Sequence, residues 1–148
     1  MKTQWIVVAH RTEARIYELK GRDAGLKLIK QIDNPEGRLK ISETEADKQG
    51  RTGQSSRLGQ SSYSAEEGPR QHSLRKFANE VADVLNKSSH LKECDEISII
   101  AEPQVLGGIR SELKPHTAAM LKTTFSKDFC NIPDAEIERH VAETIGLQ

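Results

Sequence analysis

Two consecutive hexads, Arg51-Thr52-Gly53-Gln54-Ser55-Ser56 and Arg57-Leu58-Gly59-Gln60-Ser61-Ser62, share the pattern R-x-G-Q-S-S. Each residue type suits contact with nucleic acid. Gly lets backbone approach a ligand closely, the Gln amide offers donor and acceptor together, and Arg pairs phosphates through its planar fork. From Lys48 to Ser62 the charges are Lys48, Arg51 and Arg57 with no acid, so the stretch is +3 within a chain of formal net charge +0. These features predict a loop that enters a crowded RNA site and orders on contact. Lys48, Arg51, Gly53, Gln54, Arg57, Gly59 and Gln60 would be its contacts, with Arg70, Arg75 and Lys76 adding charge downstream. Gln54 or Gln60 is the candidate contact to a reacting ester or RNA group. The bland counterpart is a flexible surface loop with an accidental duplication, and composition favours neither.

Other chemistries find less support. A two-metal nuclease needs several carboxylates converging on divalent ions, yet the run Trp5-Ile6-Val7-Val8-Ala9-His10 has no acid and Glu102 has no evident partner. His10, His72, His90, His116 and His140 are scattered at no metal-ligand spacing, and most read as surface or turn residues. Cys94 and Cys130 are isolated, which argues against a metal site or a disulfide framework and for a reduced, cytoplasmic protein. No G-x-S-x-G elbow is present for a triad hydrolase. Gly107-Gly108 lies near a helix start, where free N–H groups receive phosphates, but its spacing matches no phosphate loop or dinucleotide fingerprint, so close packing of helix on sheet is the favoured reading. The expectation is no metal and no cofactor.

These residues need a scaffold, and 148 residues suffice for one domain. Apolar content is 35%. The deficit is concentrated between 42 and 73, where Ala46, Leu58, Tyr63 and Ala65 are the apolar side chains, so the rest reads as an ordinary core carrying a polar loop at about 42–71. Trp5 to Ala9, Arg15 to Leu19 and Leu26 to Ile32 are apolar runs joined by short polar turns, an antiparallel meander. Leu74, Phe77, Ala78, Val81, Ala82 and Leu85 recur at helical spacing. Glu96 to Ala101 is a strand buried on both faces, Pro103 opens a helix with Val105, Leu106, Ile109 and Leu113 on one stripe, and Met120 to Phe125 forms a last strand. Pro133, Asp134 and Glu136 start a final helix with Ile137, Val141 and Ile145 as its buried stripe. The order βββ-α-β-α-β-α describes an α/β fold: a mixed five-stranded sheet of ribonuclease-H-like topology, antiparallel first and then parallel. No stretch approaches a membrane span.

Several short motifs carry a resemblance across nearly the whole chain. They are Val7-Val8-Ala9-His10-Arg11 running into Ala14-Arg15-Ile16-Tyr17, Phe77-Ala78-Asn79-Glu80-Val81-Ala82, Ile99-Ile100-Ala101-Glu102-Pro103 with Leu106-Gly107-Gly108-Ile109-Arg110, and Ser126-Lys127-Asp128-Phe129. In this order and spacing they resemble the bacterial host-attachment proteins, described as required for attachment to host cells. That family is similar in fold to the middle domain of eukaryotic and archaeal class 1 release factors and of Pelota-type rescue factors. There a Gly-Gly-Gln loop between the third strand and the next helix reaches the peptidyl-transferase centre. Here Thr52-Gly53-Gln54-Ser55 and Leu58-Gly59-Gln60-Ser61 occupy the corresponding interval with the first Gly replaced.

The resemblance implies a cytoplasmic, non-catalytic or weakly catalytic module associated with the ribosome or other structured RNA, related to translation termination or rescue. One rival is an adhesion or protein-interaction module for host-cell attachment with a protein partner. Another is a small-molecule hydrolase using a cleft near Glu102, beyond the carboxyl end of the central strand.

Overall fold

The computed structural model describes residues 2–21, 24–38 and 68–147. Strands β1 (Gln4–Ala9), β2 (Glu13–Leu19) and β3 (Leu26–Asp33) are followed by a 3-10 turn at Pro35–Arg38. Helix α1 (Pro69–His90), strand β4 (Glu96–Ala101), helices α2 (Pro103–Glu112) and α3 (Pro115–Ala118), strand β5 (Leu121–Ser126) and helix α4 (Asp134–Ile145) complete the order. The sheet runs β3-β2-β1-β4-β5. β1–β2 and β2–β3 are antiparallel, and β1–β4 and β4–β5 are parallel, as the sequence pattern predicts.

β1 and β4 lie side by side at the centre, and their near-continuous apolar runs are buried on both faces. Trp5, Val7, Ala9, Ala14, Ile16, Ile97 and Ile99 meet Phe77, Val81 and Leu85 of α1 and Val105 and Ile109 of α2 on one face. On the other, Ile6, Val8, Tyr17, Leu19 and Ile100 meet Phe129 and Ile137 and Val141 of α4. Alternation along each strand sends successive side chains to the two cores.

α1 begins at Pro69, earlier than the periodicity from Leu74 suggests, because proline's fixed φ suits the first helical position. The segment 69–71 is therefore helical rather than loop. The short α3 is absent from the sequence reading. Pro115 interrupts the apolar pattern by starting a new turn, and four residues are too few to show a period. β3 departs in burial: its pattern is mostly exposed, with Leu28 and Ile29 turned outward. It is the outer strand, and a register shift between Ile16 and Tyr17 leaves Ile29 opposite no residue of β2.

The far end of β3 is fastened to the β1–β2 turn. Asn34 donates its side-chain amide to the Arg11 carbonyl at 2.7 Å and its backbone N–H to the Thr12 carbonyl at 2.8 Å. Gly37 has no room for a side chain, since a Cβ there would run into the Arg11 carbonyl. The interval 39–67 leaves from this clasp and rejoins the chain at Gly68, and α1 packs against the same 3-10 turn.

Candidate functional site

Of the residues singled out for RNA contact, Lys48, Arg51, Gly53, Gln54, Arg57, Gly59 and Gln60 lie outside the described residues, as does the side chain of Arg70. Arg75 and Lys76 are described, and both are exposed on the first half of α1. Arg75 stands on the rim of a cleft of about 310 Å³ between α1 and α2, lined by Gln71, Leu74, Arg75, Pro103, Gln104, Gly107 and Gly108. The cleft opens within about a turn of Gly68, where the interval 39–67 rejoins the helix.

Local sequence dictates how these walls are held. Glu102 ends β4 and caps α2, its Oε1 accepting the Val105 N–H at 2.6 Å. The partner that Glu102 lacks in the sequence reading is thus the helix it precedes. Gly108 allows α2 to approach α1, for a Cβ there would stand 2.8 Å from the Ala78 Cβ. The close packing expected of this glycine pair holds for Gly108 and not for Gly107, and its partner is the neighbouring helix rather than the sheet. Farther along, Asn86 of α1 donates to the Glu112 carbonyl at 3.1 Å and accepts from the Lys114 N–H at 2.9 Å, fixing the end of α2.

The cleft walls combine apolar surface, two amides and one guanidinium. Among the described residues that line it there is no carboxylate, imidazole or thiol. The arrangement can bind and orient an anionic or base-bearing ligand through donors and acceptors. Among its described lining residues there is no general acid–base pair.

A second polar assembly, absent from the sequence reading, lies under α4. His10 lies in the β1–β2 turn but is only 5% exposed, whereas His72, His90 and His116 are exposed and His140 is half-buried. His10 Nδ1 accepts from the Thr12 N–H at 3.3 Å and lies 3.0 Å from Thr12 Oγ1. Its proton therefore sits on Nε2, which faces Glu13 Oε2 at 4.0 Å. Glu13 in turn accepts from Arg15 Nε at 2.9 Å and from Gln31 Nε2 at 3.0 Å. Arg15 Nη2 reaches Asp134 Oδ1, at the start of α4, at 3.0 Å.

Burial lowers the His10 pKa, only partly offset by Glu13 and Asp128. Burial likewise raises that of Tyr17. For Arg15 burial acts downward, but the bond to Tyr17 and the Glu13 charge outweigh it and hold the guanidinium above its ordinary value. With His10 and Glu13 both under a tenth exposed, this network fastens the β1–β2 turn, β3 and α4 together and presents no open reacting group. Sequence carried one signal for it: the E-x-R alternation Glu13-Ala14-Arg15 on a strand, which puts acid and base on one face.

Burial raises the Cys94 thiol to about 11, leaving it inert. No group of three or more metal-binding side chains occurs among the described residues. Nor is any described helix long and apolar enough to cross a membrane.

A family model described as "Protein required for attachment to host cells" matches residues 5–141. No curated protein sequence matches the chain. A solved structure described as "Archaeal protein" is 12% identical with a TM-score of 0.50, covering 98% of this chain and 34% of that one; it shares the fold. An archaeal translation termination factor is 11% identical with a TM-score of 0.46, covering 97% of this chain and 39% of that one. The chain thus spans little more than a third of the length of these structures.

Proposed function

We propose, from the premise that this chain belongs to the family of proteins required for attachment to host cells, that it works in the cytoplasm as an RNA-binding module associated with the ribosome. One observation supports this reading: from Lys48 to Ser62 the chain is acid-free, carries charge +3 and holds two R-x-G-Q-S-S copies, and a few residues on, past Glu66 and Glu67, it enters the helix whose Arg75 rims the α1–α2 cleft. Arg51 and Arg57 would pair phosphates, and Lys48, Arg70, Arg75 and Lys76 would add to the field. Gly53 and Gly59 would let backbone approach, while Gln54 and Gln60 supply donor and acceptor to the RNA or to an ester held on it. With Thr52 and Leu58 in place of the first glycine, binding dominates over catalysis.

Phosphate contacts make affinity fall steeply with salt. Ribosome co-sedimentation at low salt should be reduced on the order of tenfold by Arg51→Ala with Arg57→Ala, and the slope against salt should flatten by about two phosphate contacts. Unchanged co-sedimentation would discard the reading. The family's description favours a second outcome, attachment to another cell. Cell fractionation separates the two: protein at the outer surface supports attachment, and protein among cytoplasmic ribosomes supports the RNA module.

A further inference from the structure

Gly107 sits inside α2, where glycine costs about 1 kcal/mol relative to alanine. The fold gives that cost no return. A Cβ built on Gly107 meets no atom within 4 Å, and its φ is not among the positive ones. Its neighbour Gly108 is different, because Ala78 occupies the space a side chain would need. The bare backbone of Gly107 instead forms part of the wall of the 310 Å³ cleft, which Gln71, Leu74, Arg75, Pro103, Gln104 and Gly108 also line.

From this we infer that the cleft takes a single nucleotide unit, offered by an RNA chain. The base lies flat on the Gly107–Gly108 backbone, flanked by Leu74 and Pro103. The Gln71 and Gln104 amides meet its edge, each presenting a donor and an acceptor as base edges do, and Arg75 takes the adjoining phosphate. The volume is near the lower bound of ligand pockets, about 300 Å³, which suits one base and its sugar rather than a longer ligand. A side chain at 107 would stand where the base lies. This inference rests on the RNA reading above and names the unit of RNA that the α1–α2 end of the molecule holds.

The test uses the full chain and two-dimensional NMR with the four nucleoside 5′-monophosphates, inorganic phosphate and a short single-stranded RNA as separate probes. Backbone signals of Gly107 and Gly108 and side-chain signals of Gln71 and Gln104 should move with a monophosphate and with the RNA, but not with phosphate alone. Gly107→Leu should weaken both on the order of tenfold while its Tm equals or exceeds that of the unaltered protein. Wild-type affinity in Gly107→Leu, or a lowered Tm, overturns the inference, as do shifts that map elsewhere. Monophosphate binding without RNA binding overturns the RNA source. If Arg51→Ala with Arg57→Ala releases the ribosome while Gly107→Leu changes nothing, the RNA reading stands and the cleft is removed from it.

Discussion

A neutral imidazole closed off by Thr12 on one side and facing a carboxylate on the other makes this molecule sensitive to mild acid. His10 is surrounded by Glu13 and Asp128, which favour its charged form, and by Arg11 and Arg15, which oppose it, with burial the largest influence. In the unfolded chain the imidazole takes a proton near 6.5; in the folded protein it does so only at lower pH. Between those values the unfolded state binds more protons, so stability present above pH 6.5 is lost as pH falls through it. Denaturant unfolding from pH 8 to 5 should show that loss, and His10→Asn, whose Oδ1 still accepts from Thr12, should remove the part due to this residue. Arg15 gives a second outcome at this scale. Arg15→Met removes the charge opposite Glu13, whose side chain is 11% exposed and keeps only the Gln31 amide as a hydrogen-bond donor, and should cost about 3 kcal/mol. Asp134→Asn, at a side chain 79% exposed, should cost under about 1 kcal/mol. The same unfolding curves read both. None of this cluster was legible beforehand as a unit, because Gln31 and Asp134 join it only through strand pairing and helix docking, which sequence spacing does not encode.

Helix α2 carries two adjacent glycines with opposite consequences. Gly108→Ala forces a Cβ into Ala78 across the α1–α2 contact and should destabilise by about 1–3 kcal/mol. Gly107→Ala meets open space and should stabilise by up to about 1 kcal/mol. Thermal unfolding of the two variants decides it, and a loss at both would mean that the helices approach more closely than described. At this scale much was readable. The stripes of α1, α2 and α4, the two-faced burial of β4 and the proline start of α2 all follow from periodicity and fixed φ, whereas Pro69 reads as loop in the sequence and begins α1 in the structure. The burial of β3 was not, since Leu26, Leu28, Ile29 and Ile32 look like core residues until the sheet order makes this strand an outer one.

Across the whole molecule, two hydrophobic layers sandwich the sheet, and the interval 42–65 contributes few apolar side chains: Ala46, Leu58, Tyr63 and Ala65. Replacing 42–65 with a roughly ten-residue Gly/Ser linker should therefore move Tm by only a few degrees, since loop closure costs about 0.6 kcal/mol per doubling in length. The same variant should lose ribosome co-sedimentation. A collapse in Tm would mean that the interval is structural. The proposal that this interval contacts RNA comes from its composition alone, whereas the α1–α2 cleft required the docking of α1 on α2 to become visible. The Asn34 clasp has a mechanical meaning for any partner gripping residues 39–67. A tug on that handle is taken up by two hydrogen bonds to the opposite hairpin and by the wedge of Gly37 against Arg11, so the load is stopped at a rivet before it can unzip the outermost strand.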